Sequence, residues 1–148
     1  MYLAQLNIAE ALAAMDDPLM MDFVNNTERI NALAEKHPGF VWRLKGEESD
    51  ESYGIQAFEN ERILVNMSVW KDKDALFDYV YGSGHIEVLK RKKEWFSKSV
   101  KAHMVLWYVS EGHIPMLEEA KERLLYLQTH GESPYAFSFK SNFSPQDL

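Results

Sequence analysis

A chain of 148 residues, 46% hydrophobic and without cysteine, is long enough for one ordinary core and excludes a disulfide frame, a thiolate nucleophile and a cysteine-based metal site. Its formal charge of -7 argues against nucleic acid as the main partner, because phosphate binding draws on clustered cations. The chain opens without a basic segment and apolar stretch, and no run nears the ~20 apolar residues that span a bilayer. A soluble cytoplasmic protein with no membrane partner is expected.

Residues 2–8 alternate as a first strand, with Tyr2, Ala4, Leu6 and Ile8 on one side and Leu3, Gln5 and Asn7 on the other. Asp16-Asp17-Pro18 is a helix start, an Asp cap with Pro at the first helical position. Met20, Phe23, Thr27, Ile30 and Ala34 then form one stripe as far as the breakers His37-Pro38-Gly39. A second strand covers 40–45, setting Phe40, Trp42 and Leu44 against Val41, Arg43 and Lys45. The acidic stretch 46–53 reads as a mobile surface loop and 55–58 as a short strand.

The strand 62–70 has two unlike faces: Ile63, Val65, Met67 and Val69 are uniformly apolar, whereas Leu64, Asn66, Ser68 and Trp70 form a mixed face that suits a cavity wall. Asp72 caps a helix that puts Ala75, Leu76, Tyr79 and Val80 on one side. Gly82 and Gly84 interrupt it, Ser83 can recap, and helical spacing resumes through Ile86, Leu89, Lys93 and Phe96. The basic run 90–93 spreads around that cylinder as a solvated face. Strand 102–109 sets Met104, Leu106 and Tyr108 against His103, Val105, Trp107 and Val109. A last helix turns Leu117, Ala120, Leu124 and Leu127 inward and ends at His130-Gly131. Three phenylalanines in the tail, Phe137, Phe139 and Phe143, must pack on the domain or on a partner subunit.

The order predicts an α+β, ferredoxin-like βαββαβ domain over 1–131 with a four-stranded antiparallel sheet, an extra C-terminal helix and an extended aromatic tail over 132–148. Both main helices lie on one face. The other face is expected to be bare and to bury itself against a second copy, giving a homodimer through the sheet.

The run S-V-W-K-D-K-D-A-L-F-D-Y-V-Y-G-S-G-H ending at His85 resembles the dimeric α/β-barrel superfamily. That group includes the antibiotic-biosynthesis monooxygenases and the dye-decolourising and chlorite-dismutase haem proteins. P-G-F-V-W-R-L at 38–44, R-I-L-V-N-M-S-V-W at 62–70, W-F at 95–96 and G-H-I-P at 112–115 make the whole chain similar to one bacterial domain family of unknown function within it. The resemblance implies a ligand cavity between sheet and helices. It also implies that Asn66 and Trp70 match an Asn and a Trp four residues apart in the cofactor-independent monooxygenases. The tyrosine those enzymes carry further on falls near Leu76, which brings different chemistry.

Asn66 and Trp70 share a strand face, so an amide and an indole can converge on one ligand; they can equally satisfy a backbone group and fill core. His85, in a first helical turn after Gly-Ser-Gly, is a candidate proton acceptor beside Asn66, or a capping residue. Arg43 can anchor a carboxylate or phenolate, or pair with Glu47 or Glu48. Trp42, Trp107 and Tyr79 complete an aromatic lining for a small apolar or aromatic ligand. No histidine spacing indicates a metal and no cofactor is required, although haem ligation by His85 or His103 is a further reading. The functional alternatives are a cofactor-independent, monooxygenase-like enzyme and a non-catalytic ligand-binding dimer.

Overall fold

The computed structural model describes residues 1–46, 52–82, 84–98 and 101–148. Strands β1 (Tyr2–Glu10), β2 (Phe40–Arg43), β3 (Ile63–Trp70) and β4 (Met104–Val109) form one antiparallel sheet in the order β2-β3-β1-β4. Helices α1 (Met21–Lys36) and α2 (Lys73–Gly82) make the two crossovers, α3 (His85–Lys90) and α4 (Lys92–Trp95) lead toward β4, and α5 (Leu117–His130) follows it. This is the expected ferredoxin-like α+β arrangement.

The local signals act as the residue chemistry requires. The Asp17 carboxylate accepts from the Leu19 N–H at 2.9 Å with Pro18 next in line, and the Asp72 carboxylate accepts from the Ala75 N–H at 2.8 Å. A Cβ on Gly39 would stand 2.3 Å from that of Ala75, so only glycine lets the turn before β2 lie against α2.

The apolar face of the sheet is not bare. Ala4, Leu6, Val65, Met67, Val69, Val105 and Trp107 are buried together with Ala120, Leu124 and Leu127 of α5, and Ile55, Ala57 and Phe58 pack at the margin. Fourteen residues make α5 about 21 Å long, and it packs against β4 and β1. The chain's own last helix thus packs on the sheet face that was expected to be bare.

Other expectations are revised. Residues 55–57 are irregular, after a 3-10 turn at Ser52–Gly54, because they serve as a flap held by Lys121, whose ammonium donates to the Ala57 carbonyl at 2.7 Å. A register shift between Phe40 and Trp42 puts Phe40 opposite Trp70 and Arg43 opposite Ser68, while Trp42 joins the opposite, Val69 side. The predicted strand pattern placed Trp42 with Phe40. The second helical segment is broken at Arg91 into α3 and α4, which buries Trp95 in a cluster with Ala11, Ala13, Met20 and Leu64. Ser83 and residues 47–51 of the acidic loop lie outside the described residues.

The tail packs on its own domain. Phe137 is fully buried and exchanges two backbone hydrogen bonds with Leu106, at 2.7 and 3.0 Å, which closes the outer edge of β4. Lys73 donates to the Asn142 side chain at 3.0 Å and Ser141 to the Glu132 carboxylate at 2.7 Å, pinning the tail at both ends. No helix among the described residues is long and apolar enough to cross a membrane.

Candidate functional site

The helix-side face of the sheet carries the mixed residues, and here the core is split. One cluster gathers Leu3, Ala34, Trp70, Leu76, Tyr79, Leu106 and Phe137, the other Ala11, Met20, Leu64 and Trp95. Between them, on the two central strands, lie the facing pairs Gln5 with Ser68 and Asn7 with Asn66. Gln5 and Ser68 are buried, but Asn7 and Asn66 are exposed. A mid-strand pair on a central, helix-covered face would ordinarily be shut from water. Its exposure marks a gap in the helical layer with a floor of two amides.

That floor is wired. Gln5 Nε2 donates to Asn66 Oδ1 at 2.7 Å and to Ser68 Oγ at 2.8 Å, and Trp70 Nε1 donates to the same Ser68 Oγ at 2.8 Å. The buried indole N–H and the buried amide are thereby satisfied. With its oxygen held by Gln5, Asn66 turns its NH2 away from the network, and that group makes no hydrogen bond among the described residues. A ligand oxygen entering the gap would meet two N–H donors.

Trp70 joins this floor to an aromatic stack. Its ring stacks on Tyr79 with centroids 4.9 Å apart and takes His37 and Phe40 edge-on. Tyr79 in turn contacts His85, centroids 5.1 Å apart, and donates its hydroxyl to the Ile30 carbonyl at 3.1 Å. Burial pushes the Tyr79 phenol well up, with the Arg43 guanidinium pulling more weakly the other way, so it stays a neutral donor. Burial holds His85 below the usual histidine range, and its bond to the Val80 carbonyl offsets this in part; the ring is neutral near pH 7. Arg43 is buried beside Ser68 and pairs with Glu35 of α1 at 3.0 Å; the expected partners Glu47 and Glu48 lie outside the described residues.

The structure thus links Asn66, Trp70, Tyr79 and His85 by contacts in series, through Gln5 and Ser68, sets Arg43 opposite Ser68, and separates Trp42 and Trp107 from them. Those two point to the α5 side, where Trp107 is fully buried and donates to Glu119 at 2.9 Å while His113 donates to the other carboxylate oxygen at 2.8 Å. Burial alone would raise the Glu119 pKa, but the His113 and Trp107 hydrogen bonds, with the His113 charge and the Met116 backbone, offset it and hold the carboxyl low. Gln5 and Ser68, the residues that orient the floor, were missed as site members. Their signal was available, since both fall on the polar side of an alternating strand.

Two surface clefts lie elsewhere. One of about 520 Å³ runs along the free edge of β2, bordered by Glu35, Phe40, Trp42, Arg43 and Lys45. One of about 140 Å³ lies between Ala11, Met15, Tyr53 and Leu64. Neither is bordered by Asn66 or His85. No group of three or more acidic or histidine side chains among the described residues is disposed to hold a metal ion.

Comparison with known proteins agrees with this architecture. A family profile described as "Domain of unknown function (DUF3291)" matches residues 2–148. The chain is similar in structure to SnoaB, a cofactor-independent oxygenase from Streptomyces nogalater, in an asparagine-to-alanine mutant form. The TM-score is 0.50 at 17% identity, over 78% of this chain and 98% of that one. It is likewise similar to a conserved protein from Methanosarcina mazei, with a TM-score of 0.50 at 15% identity over 74% of this chain and 94% of that one. No curated protein matches the chain. At these identities the likeness establishes the fold.

Proposed function

We propose, for a chain that belongs to the DUF3291 family of unknown function, that the gap between sheet and helices binds a small, largely aromatic molecule by an oxygen atom. The observation that carries this reading is the exposed Asn7–Asn66 pair on the floor of a split core, with Asn66 oriented by Gln5. Keeping amides on the central strands of a fold this size costs apolar burial. A polar ligand that takes up the Asn66 donors offsets that cost.

The finer reading is a cofactor-independent oxygenase. The Asn66 N–H groups stabilise a phenolate or enolate oxygen, and neutral His85 accepts the proton released when it forms. Dioxygen is the oxidant: a ring CH2 becomes C=O, with one O2 consumed and one water released. This reading is supported by the fold shared with SnoaB, by burial that keeps His85 in the neutral form a proton acceptor needs, and by its ring contact with Tyr79, which stacks on Trp70.

The test is quenching of tryptophan fluorescence by 1-naphthol and by anthrone, with an oxygen electrode following the second. Asn66→Ala is expected to weaken binding about tenfold, the value of one to two lost hydrogen bonds. His85→Gln is expected to abolish oxygen uptake while leaving binding in place. Binding that ignores Asn66 would overturn the site. Binding without oxygen uptake would overturn only the oxygenase reading.

A further inference from the structure

Resting on the reading that the gap over Asn66 is a ligand site, we infer that its ligand is an anion, an aromatic carboxylate, drawn in across a basic rim formed by α4 and the residues entering β4. The charge distribution points there first. The whole chain carries -7, yet residues 90–103 hold Lys90, Arg91, Lys92, Lys93, Lys98 and Lys101 against the single acid Glu94. Arg91 is committed, bonding Glu94 at 2.8 Å and Asp22 at 2.9 Å. Lys92 and Lys93 are exposed and make no ion pair among the described residues.

The sheet register then places this rim beside the floor. Asn66 faces Asn7, Asn7 faces Met104 on the next strand, and the neighbouring His103 carbonyl accepts from the Ile8 N–H at 2.8 Å. Two inter-strand steps put His103 roughly 10 Å from Asn66. The end of α4 lies where β1 runs out: the Leu12 N–H donates to the Trp95 carbonyl at 2.8 Å and Ala11 forms a bridge with Phe96. Consistent with that placement, the Lys92 charge adds to burial in keeping the His103 imidazole below its usual range. From Ala11, where α4 ends, back to Asn7 is four residues of extended chain, about 13 Å. That is comparable with the screening length of about 10 Å at 0.1 M salt, so the Lys92 and Lys93 ammonium groups raise the anion concentration at the gap.

The floor itself is permissive. Gln5, Asn7, Asn66 and Ser68 are all neutral, in a chain with 23 acidic residues. The donors that Asn66 offers suit a carboxylate oxygen better than a carbonyl, because charge-assisted hydrogen bonds are about twice as strong as neutral ones.

Two probes of one shape separate the possibilities: 1-hydroxy-2-naphthoate and its uncharged amide, 1-hydroxy-2-naphthamide, titrated against the full chain by calorimetry. The acid is expected to bind about tenfold or more tighter than the amide near 50 mM salt, and the preference to shrink by about 500 mM. Lys92→Glu with Lys93→Glu, and the milder Lys92→Gln, should weaken the acid while leaving the amide unchanged; circular dichroism checks that both variants keep their fold. Asn66→Ala should weaken both probes. Equal affinity for acid and amide, or a preference indifferent to Lys92 and Lys93, overturns the anion inference while the site stands. If neither probe binds, or binding ignores Asn66, the site itself falls and the inference with it.

Discussion

Replacing Gln5 by Glu changes one NH2 to an oxygen and almost nothing in shape, so it interrogates the direction of the hydrogen bonds that orient the floor. In the arrangement observed, Gln5 Nε2 gives protons to Asn66 Oδ1 and Ser68 Oγ at 2.7 and 2.8 Å. A carboxylate cannot donate, so Gln5→Glu loses the hydrogen bond given to Asn66 Oδ1, worth about 0.5–1.5 kcal/mol, and places like-signed oxygens in contact there, while the Ser68 hydroxyl can turn to donate. At a position only 6% exposed, burial without a cation raises the new carboxyl above its unfolded value of about 4.3, each unit costing about 1.4 kcal/mol at neutral pH. A total penalty of about 3 kcal/mol is therefore expected near pH 8. The folded state then binds a proton the unfolded state has lost, so stability of the variant falls as pH rises from about 4.5 to its folded pKa and is restored toward acid. Urea unfolding followed by tryptophan fluorescence, relative to the parent protein at about pH 5 and pH 8, reads this directly. A variant as stable as its parent at both pH values would mean that the Gln5 amide is turned over, its oxygen accepting from Asn66. The Asn66 donors would then be spent inside the protein and unavailable to a ligand.

Two further outcomes follow from packing and charge. Phe137→Ala removes a fully buried ring from the residue that closes the edge of β4; a loss of about 3–5 kcal/mol, or about 6–20 °C in Tm by calorimetry, is expected. A shift under about 2 °C would show the tail to be a loose appendage. Glu119, whose pKa is held low by His113 and Trp107, contributes stability that is present above the unfolded pKa and lost as pH falls through the folded one. Glu119→Gln should accordingly cost about 1–2 kcal/mol at neutral pH, and its urea midpoint should approach the parent's as pH falls below the unfolded value of about 4.3; a pH-independent difference would contradict the assignment.

What the sequence by itself determined is the order of the four sheet strands and the main helices, and the faces of β1, β3 and β4. Period-two alternation told apart the apolar side of β3, Ile63 to Val69, from the side bearing Asn66, Ser68 and Trp70, because a strand cannot change which neighbours share a face without a bulge. The Asp caps, Gly39 and Gly131 are local devices, legible because their chemistry acts over three or four residues.

Tertiary structure decided what lies across each face. Nothing local to α5 says whether its apolar stripe packs on the apolar sheet face or elsewhere; in the fold it packs on that face. One register shift after Phe40 sent Trp42 to the far side from Trp70, and Trp107, on the strand face opposite Leu106, followed α5. The gap over Asn66 is likewise a matter of which helices fail to meet. Alternation orders side chains along one strand, whereas a cavity is set by distances between segments far apart in the chain, which no local pattern encodes.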